Sequence, residues 1–278
     1  MSVRIIVDST ADLIPELKAR VTAVPLTVHF GEQEYLDGVT ITASEFYKKL
    51  GAAKNLPTTS QATPYAFSEA FEEAVEAGDS VVAIIASSGL SGTYQSAVIG
   101  ASEFPGKVFV VDSRNIAIGA GVLVEYAFRL LEQGMDAEQM AAELTAARDR
   151  VHLMTVVDTL EYLQRGGRVS KAVAVAGGML SIKPILGMNA EGKLEMIGKA
   201  RGNKVANAQM NKKALELDID FSMPVMVGYT GTGDELMQKY LKESAEFFGD
   251  HKYTTSIVSA VVGTHAGPNA VAIAFFSK

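Results

Sequence analysis

Between Asp79 and Glu103 the chain runs for 23 residues without an Asp, Glu, Lys or Arg. The stretch opens on an apolar run, Val81 to Ala86, and turns through Ser87-Ser88-Gly89-Leu90-Ser91-Gly92-Thr93. It then continues as a helical-looking segment, Gln95 to Glu103. A strand that ends in small hydroxyl and glycine residues and re-enters as a helix predicts an anion cradle of free N–H groups at the positive end of the helix dipole. The same order recurs along the first half. Arg4 to Val7 leads into Asp8-Ser9-Thr10, Lys107 to Val111 into Asp112-Ser113, and Leu153 to Val157 into Asp158-Thr159. Strands alternating with helices in this way predict βαβ units and a right-handed parallel sheet. Residues 1–155 are expected to form a three-layer α/β domain.

Local signals place the remaining elements. Leu13 to Arg20 reads as a helix capped by Ser9 or Thr10, and Thr22 to Phe30 as one strand followed by a turn at Gly31-Glu32-Gln33-Glu34. Thr42 with Glu45 matches a capping box, and Thr63 with Pro64 starts a helix after a loop at Asn55–Thr63. Gly121 to Gln133 is helical, and Asp136 caps a second helix reaching Arg150. Beyond Asp158 the pattern changes. A short helix, Leu160 to Gln164, is closed by Gly166-Gly167. A hairpin forms around Ala190-Glu191-Gly192-Lys193, and the helices Val205–Leu217 and Asp234–Phe248 alternate with strands at 226–229, 253–259 and 269–276. Residues 156–278 are expected to be an α+β domain with a mixed or antiparallel sheet.

Several function classes are disfavoured by composition. The net charge of −7 argues against a general nucleic-acid or anionic-membrane binder. With no cysteine, thiolate catalysis and cysteine-ligated metals are excluded. His29, His152, His251 and His265 are scattered without ligand spacing, so neither a metal nor a cofactor is expected. The start, Met1-Ser2-Val3-Arg4, runs directly into a strand pattern, and the charge-free windows are broken by polar turns, which predicts a cytoplasmic protein without membrane insertion.

Three loops lacking Asp, Glu, Lys and Arg offer hydroxyls, glycines or both: Pro57 to Gln61, Ser87 to Thr93, and Gly263 to Asn269 with His265 at its centre. Neutral donors beside apolar segments suit a ligand with a small polar or anionic head and an apolar body. Turns are rich in such residues for conformational reasons alone. The functional reading of His265 is a donor, protonated or not, that completes a carboxylate or phosphate site. A serine esterase built on Ser91 and His265, with Asp112 or Asp158 between them in sequence, is the alternative. Its nucleophile elbow does not fit, because in Gly89-Leu90-Ser91-Gly92-Thr93 the second glycine comes one place early.

Charge is unevenly distributed. From Arg165 to Lys213 ten Lys and Arg face only Glu191 and Glu195, so the segment is +8 and the rest of the chain −15 (−7 minus +8). Such a patch is either a solvated face or a dock for an acidic or phosphate-bearing partner. Arg165, Arg168 and Lys171, around Gly166-Gly167, form its densest part.

Taken in order, Asp8-Ser9-Thr10-Ala11-Asp12-Leu13, Thr58-Thr59-Ser60-Gln61, Ser87 to Ser96, Val111-Asp112-Ser113, Gln164 to Lys171, Lys183-Pro184 and His265-Ala266-Gly267-Pro268 resemble the DegV family of bacterial fatty-acid-binding proteins over essentially the whole chain. The resemblance implies a two-domain α/β protein that carries a long-chain fatty acid as its ligand. It implies a carrier with no catalytic residue of its own, in some members the acyl-carrier subunit of a fatty acid kinase. The acyl carboxylate would be held by Thr59, Ser91 and His265, with Ser60 and Gly92 beside them. Arg168 and Arg201, with Arg165 and Lys171 nearby, would contact a kinase. The chain departs from the family pattern at Ala62, where proline is common, and at Asn269, where glycine is usual.

Overall fold

A computed structural model describes residues 2–170 and 181–278. In chain order its first half contains β1 (Val3–Asp8), α1 (Pro15–Lys18), β2 (Thr22–Val24), β3 (Thr27–Phe30), β4 (Gln33–Leu36), α2 (Ala43–Ala52) and β5 (Thr58–Ser60). It continues with α3 (Pro64–Glu76), β6 (Ser80–Ile85), α4 (Thr93–Ala101), β7 (Val108–Asp112), α5 (Ala117–Glu132) and α6 (Ala137–Ala147). The second half contains β8 (Val151–Val156), α7 (Glu161–Arg165), β9 (Ile182–Met188), β10 (Leu194–Arg201), α8 (Asn203–Glu216) and β11 (Met226–Tyr229). It ends with α9 (Glu235–Glu243), α10 (Ala245–Phe248), β12 (Thr254–Ile257), α11 (Ala260–Ala266) and β13 (Val271–Phe276).

A four-stranded parallel sheet, β2-β1-β6-β7, lies beside a six-stranded mixed sheet, β10-β9-β8-β13-β11-β12. The expected combination of a parallel α/β region and a mixed-sheet α+β region is therefore present. A small antiparallel sheet, β4-β3-β5, is additional to it. Local signals acted where they were read. Thr42 and Glu45 form a reciprocal capping box, Asp136 forms another with Gln139, and Thr63 caps α3 with Pro64 in its first turn. In β1 and β6 the apolar side chains divide between two cores. Ile5, Val7, Val82 and Ile84 pack with α5 and α6, while Ile6, Val81, Ala83 and Ile85 pack with α2 and α3. This two-sided burial is what a doubly covered parallel sheet requires.

Several expectations are corrected. Strand β8 belongs to the six-stranded sheet, antiparallel to both β13 and β9. Two helices, not one, separate it from β7, so the single-helix crossover that delivers a parallel strand is missing there. The expected helix from Leu13 shrinks to α1 because Pro15 fixes its start, and Thr10 bonds to Asp8 instead of capping. Pro25 splits the run Thr22–Phe30 between the parallel sheet and the small sheet. The helix expected over 234–248 breaks at Ser244. The loops at 55–63 and 263–269 contain β5 and the end of α11.

Candidate functional site

The carboxyl ends of β1 and β6 mark the point where the parallel sheet's strand order reverses, the usual position for a binding crevice in such sheets. Asp8, almost fully buried, ties the two ends together: its carboxylate accepts the Ala86 N–H at 2.7 Å and the Thr10 N–H at 2.9 Å. Burial pushes the Asp8 carboxyl above its ordinary pKa. Beyond these ends lies a cavity of about 400 Å³. One wall is the face of the six-stranded sheet carrying Leu153, Thr155, Leu186 and Ala272. The other carries Thr10, Leu90, Ile116 and Val261. Polar groups converge where β5, the Ser87–Thr93 turn and α11 meet: Thr59, Ser60, Gln61, Ser91, Gly92, Arg168 and His265 all line the cavity. All five residues expected to hold a ligand head group, Thr59, Ser60, Ser91, Gly92 and His265, are thus brought to one cavity.

Their chemistry differs from the sequence expectation in three respects. The expected cradle of free amides is narrower than the turn: five of its amides are engaged, while α4 begins after Gly92 without a side-chain cap. Ser88 N–H donates to Asp112, Gly89 N–H to Ser87 Oγ, Leu90 and Ser91 N–H to the Ser87 carbonyl, and Thr93 N–H to Ser91 Oγ. What it offers is the Ser91 hydroxyl, 2.8 Å from Thr93 Oγ1. Secondly, His265 lies on the last turn of α11 with Nε2 at 2.9 Å from Thr59 Oγ1, and its Nδ1 is buried without a partner among the described residues. Burial, then the nearby Arg168 guanidinium, push its pKa down to about 4, so of the two forms left open it is the neutral one at pH 7. Thirdly, the Ser60 hydroxyl is bonded to His29 Nε2 at 2.8 Å.

Glycines set the close contacts. A Cβ on Gly92 would collide with the Gln61 amide, which itself donates to Ser96 at 3.0 Å. One on Gly166 would collide with the His265 ring, and one on Gly267 with the Tyr162 ring. Gly267 also has φ 72°, which ends α11 in the left-handed region. Asn269 takes φ 64°, so the residue standing where glycine is usual keeps the backbone glycine would supply.

A second cavity of about 390 Å³ adjoins the first and shares Thr59, Arg168 and His265 with it; Tyr162, Arg165 and Pro57 also line it. Arg165 pairs with Glu161 at 2.9 Å on the exposed face of α7. Arg168 has no acidic partner among the described residues. It donates to the Gly166 carbonyl, and burial lowers its pKa. Sequence reasoning placed Arg168 among partner contacts and missed that it lines both cavities; its position three residues beyond α7, against the His265 helix, carries no local signature. Arg201 is exposed at the end of β10, roughly 23 Å along the strand from the cavity-lining Leu194. Lys171 lies outside the described residues.

Ser91 and His265 share no hydrogen bond among the described residues: each is bonded to a threonine. That pairing gives no support to a serine esterase. No group of three or more His, Asp or Glu among the described residues could hold a metal ion. No described helix is long and apolar enough to cross a membrane.

With the geometry in view, comparison with known proteins is direct. A family model described as an uncharacterised protein of the DegV family matches residues 2–278. The chain belongs to the DegV family. It is 38% identical to a DegV domain-containing protein of Caldanaerobacter subterraneus subsp. tengcongensis, over 99% of each chain. In structure it is similar to a DegV family protein from Thermus thermophilus described for its fatty acid binding, with TM-score 0.89, 33% identity and all of both chains covered. It is also similar to a stearic-acid-binding protein from Eubacterium ventriosum, with TM-score 0.90 and 30% identity over 100% of this chain and 99% of that one.

Proposed function

We propose that this DegV protein binds a long-chain fatty acid in the inner cavity, with the carboxylate at the Thr59, Ser91 and His265 end and Arg168 beside it. The observation that carries the reading is the lining of one cavity: aliphatic side chains from the six-stranded sheet (Leu153, Leu186, Leu194) and from the turns and helices opposite it (Leu90, Ile116, Val261), with Thr59, the neutral His265 imidazole and Arg168, which has no acidic partner among the described residues, at the part shared with the outer cavity. The fatty acids bound by the Thermus and Eubacterium relatives support the same ligand class. Each buried CH₂ contributes about 0.8 kcal/mol, so the walls supply most of the affinity. The polar end satisfies a carboxylate whose burial would otherwise be costly. Because the imidazole is neutral, Arg168 is the group that balances the ligand's charge.

The protein acts as a carrier, not a catalyst, and the outer cavity is where a partner kinase reaches the carboxylate; Arg165, Arg168, Arg201 and Lys171 are its contact candidates. The chain divides just ahead of β8, near residue 150, and the ligand lies between the two parts. Purification followed by solvent extraction and mass spectrometry is expected to return an acyl chain. The ligand-stripped protein is expected to take up added oleate, and Arg168→Ala to weaken that uptake. A stripped protein that takes up no fatty acid would sink the reading.

A further inference from the structure

His265 sits on a seven-residue helix that its own N-cap side chain does not cap: Ser259 makes no side-chain capping bond. The start of α11 is held instead by carboxylates more than 200 residues away in sequence. Asp12 Oδ1 accepts the Ser259 N–H at 2.8 Å. Asp37 accepts Ala260 N–H on Oδ1 at 3.1 Å and Val261 N–H on Oδ2 at 3.2 Å. Ser9 Oγ donates to Asp37 Oδ2 at 3.3 Å, and Tyr47 Oη donates to the Val258 carbonyl at 3.0 Å. Asp12 is 5% and Asp37 3% exposed, and no salt bridge to either occurs among the described residues. Lys18 is the nearest cation acting on both.

Burying two carboxylates side by side without a direct cationic partner is costly, whereas an Asn or Ser would cap a helix without that cost. The arrangement is explained by what it aims. Two carboxyl groups at the amino end of α11 accept three successive N–H groups, and any negative charge they carry aligns with its dipole. A Cβ on Gly263 would collide with Tyr47, so the helix is also seated tightly on α2. From Ala260 to His265 is roughly 7.5 Å of helix, little more than one turn. Neither Asp12 nor Asp37 lines either cavity, although Thr10 and Val261, next to these bonds, line the inner one.

We infer that Asp12 and Asp37 are positioning residues that hold α11 so that His265 Nε2 meets Thr59, and that they thereby control head-group binding from outside the cavity. The inference rests on the proposed fatty-acid site, but its first test needs no ligand. In the ligand-free protein, Asp37→Asn puts a donor against one of the amides it now accepts. The imidazole ¹⁵N resonances of His265 are expected to lose the pattern that marks its bond to Thr59. In the second test, oleate affinity is expected to fall roughly tenfold in Asp37→Asn and no further in Asp37→Asn/His265→Ala than in His265→Ala alone. A merely structural role would lower the melting temperature yet leave the His265 resonances unchanged and the two affinity losses additive. Either result overturns the inference. If the wild-type protein binds no oleate, the fatty-acid reading fails and the resonances alone decide the positioning role. Should Asp37→Asn not fold, Asp12→Asn, which touches one amide instead of two, is read in the same way.

Discussion

The two ends of the polar site are built by opposite means. The Ser87–Thr93 turn is closed largely on itself and tied down at its start: Ser87, fully buried, accepts amides from its own turn and donates to the Asn115 carbonyl at 2.9 Å and the Gly192 carbonyl at 2.7 Å, while Ser88 bonds to Asp112. Its Ser91 hydroxyl is fixed by Thr93, two residues on. The His265 helix is held from outside, by Asp12, Asp37 and Tyr47 at one end and by Thr59 at the other. The Ser91 hydroxyl, bonded two residues away, should therefore respond mainly to local change. The imidazole should respond to groups scattered through the first 60 residues.

The largest expected effect is electrostatic. His265 titrates near 4 instead of 6.5, so below pH 6.5 the unfolded chain takes the proton first, and folded stability falls as pH drops toward 4. Asp37, pushed up to about 6 from 3.8 by burial, behaves oppositely: the folded state takes the proton first, and stability rises as pH drops through 6 toward 4. Each shift corresponds to about 3 kcal/mol, so in the wild type the two largely offset one another. Chemical denaturation at pH 7 and pH 4 is expected to unmask them. Relative to wild type, His265→Gln gains about 3 kcal/mol on acidification, and Asp37→Asn loses about 2 to 3 kcal/mol. Parallel profiles in all three proteins would break the contrast between the turn and the helix, because neither His265 nor Asp37 would then be titrating away from its ordinary range.

The same contrast explains what was legible in the sequence. Thr42 with Glu45, Asp136 with Gln139, and Thr63 before Pro64 act within three residues of themselves, so their caps could be read directly. The hairpin at Ala190–Lys193 and the three neutral loops were visible for the same reason. Pairing partners were not. The residues of β8 do not reveal that it runs antiparallel to β13, because burial on both faces looks alike in either orientation. Asp12 and Asp37 carry no local signature of their role, because Ser259, Ala260 and Val261 meet them only in the folded chain. Of the free amides expected at Ser87, five are taken by hydroxyl, carboxylate and backbone carbonyl acceptors, and composition shows the presence of such groups but not their aim.

A smaller effect separates the two hydroxyls. Ser91→Ala removes one proposed head-group donor and leaves Thr93 without its partner. Thr59→Ala removes a donor and also releases His265 Nε2. Oleate affinity is expected to fall by about 1 kcal/mol for Ser91→Ala and by about 2 kcal/mol for Thr59→Ala, as read by isothermal titration. The comparison sharpens if only Thr59→Ala also shifts the His265 resonances. Equal losses with no shift in either would mean that the imidazole does not depend on Thr59.

The smallest effect lies just past the helix, at Asn269. Its N–H donates to the Thr230 carbonyl at 3.1 Å, an interaction any residue but proline keeps, and its φ of 64° is the constraint. Asn tolerates this conformation nearly as well as glycine, whereas a plain Cβ residue costs about 1–2 kcal/mol there. Asn269→Gly is therefore expected to change stability by less than about 1 kcal/mol, and Asn269→Ala to lose about 1–2 kcal/mol, both by denaturant midpoint. The order of these two variants separates backbone from side chain. If Asn269→Gly were the more damaging, the asparagine amide would be acting on α11 itself, and the helix would have an anchor at its carboxyl end to match Asp12 and Asp37 at the other.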